Sequence, residues 1–288
     1  MLRSLFSAIS GLRTNQTMLD VTGNNIANAN TAGFKASSIV FQDSLSQMLT
    51  AAGAPSTGVR GGTNAMQVGL GVQVGGISTN FNQGAQQTTG SATHLMIQGD
   101  GFFIANRNDV QNYTRLGAFN FDGQGNLVTL DGDMIQGYMA DPTTGAFATP
   151  PTLADITIPA IVSDPPAPAN KLLSFNIGGD GMVMGVFENE TDPRPLAQIA
   201  MANFANPEGL EKVGDTMYRA SANSGQVIID VPGSGRMGSL VGQALEMSNV
   251  DLAQEFTNLI IAQRGFQATS RVITTSDQVL EELVNIKR

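Results

Sequence analysis

Cysteine and tryptophan are absent from this sequence of 288 residues, and histidine occurs once, at His94. A chain without cysteine forms no disulfide and offers no thiolate to a metal, so the redox state of its compartment does not affect it. A histidine-based catalytic triad would have to be built around His94, but no nucleophile elbow or activating context stands nearby. We interpret His94 as a residue at a strand edge, and the sequence predicts no catalytic residue.

Charge is also scarce, because charged residues make up only 14% of the chain. The 15 Lys and Arg residues are outnumbered by 24 Asp and Glu residues, which gives a net charge of -9. Proteins that bind a phosphate backbone need clustered Lys and Arg, whereas the basic residues here are spread along the chain. Nucleic acid is therefore not a predicted partner.

Long apolar runs are missing, since no stretch approaches the roughly 18 apolar residues that a membrane span requires. Polar residues such as Arg3, Ser7 and Arg13 interrupt the N-terminal segment and leave it without the apolar region of a cleaved signal peptide. We predict no membrane insertion, and we expect any export of the protein to proceed without a cleaved signal.

Two patterns that resemble ligand sites have simpler interpretations. Gly69, Gly71 and Gly75 lack the spacing of a dinucleotide-binding loop, and no capped helix follows them. Three aspartates in turn-like segments are not part of a twelve-residue calcium loop with its closing Glu. The sequence therefore predicts neither a cofactor nor a metal site. The three aspartates are Asp122, Asp131 and Asp133.

The last segment of the chain, residues 248–288, carries an apolar residue at every seventh position. Seven residues are close to two helical turns, so these side chains share one narrow stripe, which requires a partner helix. Ser248 or Asn249 is the predicted N-cap. The stripe consists of Leu252, Leu259, Phe266, Ile273 and Leu280, with Phe256 and Val284 beside it and Gln263, Ser270 and Asp277 as polar interruptions.

The first segment carries a similar stripe and predicts a second amphipathic helix from about residue 3 to about residue 27. A single apolar seam is not stable alone in water, so the two terminal segments are natural partners. Their pairing within one chain and their pairing across many chains are both open on this evidence. The N-terminal stripe consists of Leu5, Leu12, Leu19 and Ile26.

The middle of the chain is rich in turn residues and predicts antiparallel β structure. Residues 77–140 and 193–247 form the predicted β-rich domain, and residues 31–76 form a connector with an Asn- and Gly-rich turn and an extended segment. Residues 141–192 hold seven of the 12 prolines and are predicted to be a small outer insertion. The predicted fold class is α+β, in which the helices of residues 1–30 and 248–288 form a coiled-coil-like pair and the β-rich middle is discontinuous.

Several motifs of this chain resemble those of the axial proteins of the bacterial flagellum, the rod and hook family. The N-terminal motif runs from Gly23 through Asn24, Asn25 and Asn28 to Thr31 and Gly33-Phe34-Lys35. The central motifs are Ile97-Gln98-Gly99-Asp100-Gly101-Phe102-Phe103 and Tyr113-Thr114-Arg115-Leu116-Gly117. The C-terminal motif contains Ser248-Asn249-Val250-Asp251 and Gln263-Arg264-Gly265-Phe266.

This resemblance implies a structural subunit without a cofactor, whose terminal helices pair into the inner tube of a helical homo-oligomer. It also implies export through the flagellar type III apparatus, a location in the extracellular hook and basal body, and contacts with other axial proteins of the rod, hook cap and hook–filament junction. The two ends of the chain resemble hook proteins most, so the first hypothesis is a subunit of the flagellar hook, the helical tube that couples the motor rod to the filament for swimming motility. The length of the chain keeps a distal rod subunit as the alternative, and a secreted hydrolase is a third and weaker hypothesis. The expected subunit-interface residues are Leu5, Leu12, Leu19, Ile26, Leu252, Phe256, Leu259, Phe266, Ile273 and Leu280.

Overall fold

A computed structural model describes residues 2–55, 61–141, 145–147, 152–158, 161–162, 170–188 and 192–286. The described residues form two compact units. The helical unit is drawn from Met1–Ala29, Ala36–Asn80 and Val250–Arg288, and the β unit from Asn30–Lys35 and Phe81–Asn249. The α+β class with a helix at each end of a β-rich middle is confirmed.

The two helices of the helical unit are α1, Leu2–Ala27, and α2, Leu252–Ile286. The side chain of Asp251 caps α2, because its Oδ1 accepts hydrogen bonds from the amides of Ala253 at 2.9 Å and Gln254 at 3.3 Å. The prediction of Ser248 or Asn249 as the cap is therefore wrong. An aspartate at this position also places a negative charge beside the positive end of the helix dipole, which explains why the helix begins later than expected.

A long two-stranded ribbon completes the helical unit. Its first pair joins β1 to β4 and its second pair joins β2 to β3, all antiparallel. The extended segment predicted within residues 31–76 is interrupted at Gly71, whose φ of +133° is a backbone conformation that residues with a side chain rarely adopt. Most of the ribbon's side chains are exposed. The strands are β1 (Ser37–Asp43), β2 (Ser46–Thr50), β3 (Met66–Gly69) and β4 (Val72–Thr79).

The β unit contains two hairpins that are closed by two-residue turns. Two-residue turns at Asn108 and Asp109 and at Asp215 and Thr216 have positive φ, which matches the right-handed twist of the strands they join. The strands of the first half are β5 (Gln86–Thr88), β6 (Leu95–Gln98), β7 (Phe102–Arg107), β8 (Val110–Thr114), β9 (Asn120–Phe121), β10 (Leu127–Val128), β11 (Met134–Met139) and β12 (Leu153–Asp155). Those of the second half are β13 (Ile161–Val162), β14 (Asn170–Ile177), β15 (Met182–Phe187), β16 (Arg194–Ile199), β17 (Met201–Asn203), β18 (Glu211–Gly214), β19 (Met217–Arg219), β20 (Ile228–Asp230), β21 (Ser239–Gly242) and β22 (Ala244–Glu246), with a 3₁₀ turn at Pro207–Gly209.

Among the described residues, fourteen strands of the β unit form one branched antiparallel sheet. Its main path runs β13-β14-β15-β16-β11-β7-β8-β19-β18, and β9, β10, β12, β17 and β20 are attached to it. Two further pairs, β6 with β21 and β5 with β22, connect the start of the β unit to its end. The described part of the predicted outer insertion contributes β12–β15 to this sheet, whereas its seven prolines all lie outside the described residues.

Strand β7 lies at the centre of the core, because four consecutive residues, 102–105, are buried. Alternate residues of a strand point to opposite faces, so Phe103 and Ala105 enter one apolar cluster, while Phe102 and Ile104 enter a second. The Phe103 ring packs edge-on against Phe119 at 5.0 Å between centroids. A strand buried on both faces explains why this segment reads as a continuous apolar run.

Candidate assembly interface

Helices α1 and α2 pack against each other in an antiparallel pair. A Cβ atom added to Gly11 would lie 3.1 Å from the Thr269 methyl group, and one added to Gly265 would lie 2.7 Å from Asn15 Oδ1. Farther along, Asn25 Nδ2 donates to Glu255 Oε1 at 3.1 Å. The residue numbers of each of these pairs add up to 280. The two helices therefore keep one register along the contact.

Small and polar residues form the tightest part of this contact. The buried residues of α1 are separated by three positions, apart from one interval of eight, and Ala262 is the buried residue of α2. Glycine and alanine allow two helix backbones to approach closely, so the contact is made by backbone and short side chains. The buried row of α1 consists of Ala8, Gly11, Thr14, Thr22 and Asn25.

In the leucine stripe predicted for α1, Leu12 and Ile26 lie one residue after a buried residue, and the other two members lie three residues before one. Its four members are half-buried, and so are four of the six predicted residues of α2. Leu252 and Phe256 are 42% and 51% exposed, so each keeps about half of its surface open to solvent. The structure thus brings the two stripes along one helix pair, and their role between subunits stays a prediction. The half-buried residues are Leu5, Leu12, Leu19, Ile26, Leu259, Phe266, Ile273 and Leu280.

The Asn-rich motif forms a structured helix end. Asn25 is buried, and its side-chain amide donates to Ser37 O at 2.8 Å while its Oδ1 accepts from Ser37 N at 3.0 Å. The same amide contacts Glu255, and partial burial raises the pKa of that carboxyl above its usual value. Asn28 closes the last turn by donating to Asn24 O at 3.0 Å. Asn25 thereby joins α1, the start of β1 and α2.

The glycine of the following Gly33-Phe34-Lys35 motif is required by its backbone. Gly33 has a φ of +72°, and a Cβ atom there would lie 2.9 Å from the backbone of Leu116. Its amide donates to Glu246 O at 2.7 Å. The neighbouring Phe34 ring lies 5.2 Å from Lys212 Nζ, within the range of a cation–π contact. The motif is thus held inside the β unit on both sides.

Lys35 is fully buried and forms the centre of an ion cluster. Its Nζ lies 2.5 Å from Glu246 Oε1 and donates to Asn82 O at 2.9 Å. Arg115, also buried, approaches the other Glu246 oxygen at 3.7 Å and donates to Gly99 O at 2.9 Å. Burial lowers the pKa of both Lys35 and Arg115, and the charge of Glu246 opposes this shift.

Sequence reasoning quoted Lys35 and Arg115 as parts of motifs but missed Glu246. This residue ends β22, which together with β21 lies in the part of the predicted β-rich domain where the sequence indicated no individual strand. The sequence offered one signal for this residue: Glu246 is the single charged residue in the segment from Leu240 to Met247. Its role as a counter-charge depends on Lys35 and Arg115, which are remote from it in the sequence.

Exposed apolar side chains are concentrated on the ribbon and on α2. On the ribbon Leu45 is 81% exposed, and on α2 Ile260 and Ile261 are 56% and 58% exposed. Contiguous apolar surface of this kind marks sites of protein association. Within the described residues there is no cluster of metal-ligating side chains, and none of the helices there has the length and apolar character of a membrane span.

Comparison with known proteins shows to which family a chain with this helix pair and β unit belongs. The flagellar basal-body rod protein FlgG of Bacillus subtilis is 45% identical over an alignment of 289 residues, which covers the whole of both chains. The chain belongs to the flagellar rod and hook protein family. Three segments match family descriptions: residues 5–35 "Flagella basal body rod protein", residues 96–185 "Flagellar hook protein FlgE/F/G D1 domain" and residues 241–286 "Flagellar basal body rod FlgEFG protein C-terminal".

Other members of the rod and hook family are also similar over their full lengths. FlgG of Borreliella burgdorferi is 35% identical over 289 residues, and the flagellar hook protein FlgE of the same organism is 32% identical over 442 residues. These relatives are structural flagellar proteins and not enzymes. The chain is accordingly an axial structural protein of the flagellum, which removes the secreted hydrolase from consideration.

Proposed function

We propose that this chain is a rod subunit of the flagellar basal body that assembles with copies of itself into a helical tube. The observation that carries the proposal is the second apolar face of α2. Ile260, Ile261 and Val272 are each about half exposed although one side of the helix already packs on α1. Burying this surface against neighbouring copies is the favourable change that drives assembly.

The helix pair is proposed to act as a coiled coil in this tube. Eight of the eleven half-buried and buried residues of α2 alternate in steps of four and three, which is the spacing of a heptad seam. Contacts made with neighbours by the remaining faces are head-to-tail, and such contacts generate an open helical polymer when the rotation does not close. The seam consists of Glu255, Leu259, Ala262, Phe266, Thr269, Ile273, Ser276 and Leu280.

Length favours the rod over the hook. The alignments with the two rod relatives span 289 residues each, nearly the length of this chain, whereas the alignment with the hook relative spans 442 residues. That hook relative is therefore considerably longer than this chain. The hook remains a second candidate, because identity to that relative is 32% and extends over the whole of both chains.

The expected partners follow from this placement. Neighbouring axial proteins of the rod, hook cap and hook–filament junction would contact the ends of the tube, and the flagellar type III apparatus would deliver the chain in unfolded form. A chain without cysteine cannot be cross-linked by disulfides before or during such a passage. Electron microscopy of a deletion strain separates the two placements: flagellar bases that stop within the rod support the rod, and complete rods without hooks support the hook.

Assembly itself is tested by truncating the seam. Replacing the half-buried Phe266 or Leu259 with alanine removes apolar contacts, at a cost of about 2–5 kcal/mol where the site becomes fully buried. We expect the purified variants to stay unassembled in sedimentation and electron microscopy at concentrations where the unaltered chain forms tubes. Leu130→Ala, at an exposed site of the β unit, is the matched control. Tubes formed equally well by all variants would remove the seam from the mechanism.

A further inference from the structure

The last two turns of α2 extend past the N-terminal end of α1. In the register of the helix pair, in which contacting residue numbers add up to 280, Leu2 lies opposite residue 278. The segment Val279–Ile286, here called the overhang, therefore continues beyond the first residue of α1 for about 12 Å. Of its residues, Leu280 is half-buried and the others are exposed.

The overhang combines apolar and acidic side chains. Val284 and Ile286 are 66% and 81% exposed, which is unusual for aliphatic residues near the end of a described helix. Glu281 stands one turn before Val284 and so lies on the same side of the helix, and Glu282 is next to it. Lys287 and Arg288 follow beyond the described residues. The described overhang carries two negative charges beside an apolar surface.

A groove of complementary character lies between α1 and β4 of the helical unit. It has a volume of about 350 Å³ and is lined by Phe6, Ile9, Arg13, Val72 and Val74 among others. Arg13 is its only charged lining residue. Gly71 fixes the ribbon against α1 here, because a Cβ atom on it would collide with the side chain of Ser10. The contact of Gly71 with Ser10 thus sets the shape of the groove. Its lining is largely apolar and carries one positive charge.

We propose that the overhang of one copy of this chain occupies the groove between α1 and β4 of a second copy. Apolar side chains would pack on Phe6 and Val74, and Glu281 or Glu282 would pair with Arg13. The α1 residues that line the groove run from Phe6 to Thr17, about 16 Å of helix, which accommodates an overhang of about 12 Å. The inference rests on the proposed self-assembly and names the contact that links one subunit to the next.

The overhang cannot reach its own groove within this helix pair. Phe6 lies opposite residue 274 in the common register, so Val284 is ten residues farther along α2, a distance of about 15 Å. Two cysteines whose Cα atoms are more than about 7 Å apart cannot form a disulfide without movement of the backbone. A disulfide between these two positions would therefore join two copies, and the natural absence of cysteine makes the chain a clean background.

The decisive experiment mixes two single-cysteine variants, Phe6→Cys and Val284→Cys, under assembling and oxidising conditions. We expect a cross-linked heterodimer at least about ten-fold above that formed when Val284→Cys is mixed with Leu130→Cys, whose site has the same exposure as Phe6. Tubes that form without this cross-link would overturn the docking contact and leave self-assembly standing. A natural chain that never assembles would overturn the proposed function and this inference together.

Charge reversal supplies a second readout that does not need cysteine. Arg13→Glu, and separately Glu281→Lys with Glu282→Lys, should each raise the critical concentration for assembly about ten-fold. The chain that carries all three changes should return to within about three-fold of the natural value. Helix content measured by circular dichroism checks that each variant is folded. Additive losses without recovery in the combined variant would overturn the pairing of these charges.

Discussion

At the scale of single residues, Lys35, Glu246 and Arg115 form a buried cluster of charges in the β unit. Three charged side chains are removed from water there, and Glu246 is the acidic residue that both cations approach. A buried ion pair contributes little net stability, but the loss of one partner leaves an unpaired buried charge at high cost. The destabilisation caused by a substitution in this cluster should therefore depend on how many buried charges it leaves unpaired and not on how much side-chain volume it removes.

Glu246→Gln should be the more damaging change, because it leaves two buried cations without a counter-charge and costs about 3–5 kcal/mol. Lys35→Met leaves the pair of Arg115 and Glu246, so a smaller loss of about 1–3 kcal/mol is expected. Urea unfolding followed by circular dichroism measures both. Lys171→Met makes the same replacement at an exposed site and should change the free energy of unfolding little. A cost of Lys35→Met equal to or above that of Glu246→Gln would contradict the account.

At the scale of elements, the sequence predicted both terminal helices but not the point of closest contact between them. The seven-residue stripe identified α1 and α2 because leucines repeat at helical spacing. The tightest contact is instead made one residue away, at Gly11 and near Gly265, where the side chain is absent. Hydrophobic patterns give no weight to glycine, so a close approach of backbones cannot be predicted from them.

The strands were predicted where turn residues separate apolar runs, as in the hairpin of β9 and β10. Strands β21 and β22 were missed because they are short and end in Gly242 and Glu246, residues that strand patterns disfavour. Their pairing with β6 and β5 supplies the hydrogen bonds that local sequence does not indicate. The buried position of Glu246 was unpredictable for the same reason, since its partners come from other parts of the chain.

The close contact of the helices predicts a difference between two glycines of α1. Gly11→Leu places a large side chain against Thr269 and should destabilise the helix pair by about 1–3 kcal/mol. Gly23→Leu meets no neighbour within 4 Å and should slightly stabilise the helix, because leucine has the higher helix propensity. Thermal unfolding of the helical signal and the yield of tubes measure both effects. Equal unfolding temperatures and equal yields of tubes for the two variants would contradict the register of the helix pair.

At the scale of the whole molecule, the two units differ in how much of their surface the single chain can bury. The β unit contains two apolar clusters around a strand that is buried on both faces. The helical unit has a narrow seam, and its ribbon and the outer side of α2 stay exposed. Segments with few buried contacts open at low free energy, so the units should differ in local stability before assembly.

Hydrogen exchange measured by mass spectrometry should reveal this difference. In the unassembled chain, we expect slow exchange for peptides of β7 and rapid exchange for peptides of α1 and α2. Assembly should slow exchange in the helices by at least about ten-fold and leave β7 unchanged, because only the helical unit gains buried surface. Peptides of β7 provide the internal control. Equal protection of the helices in both states would show that neighbours contribute nothing to their stability.

The ion cluster of the β unit also has a consequence for the order of folding. Lys35 and Glu246 are separated by 211 positions, so their contact closes one of the longest loops that the chain allows. Loop closure on this scale must precede the favourable burial, and contacts of high sequence separation form late and slowly. A chain that emerges from one end can therefore complete its β unit only after nearly all of its length has been delivered. The long loop between Lys35 and Glu246 therefore delays folding of the β unit until most of the chain is present.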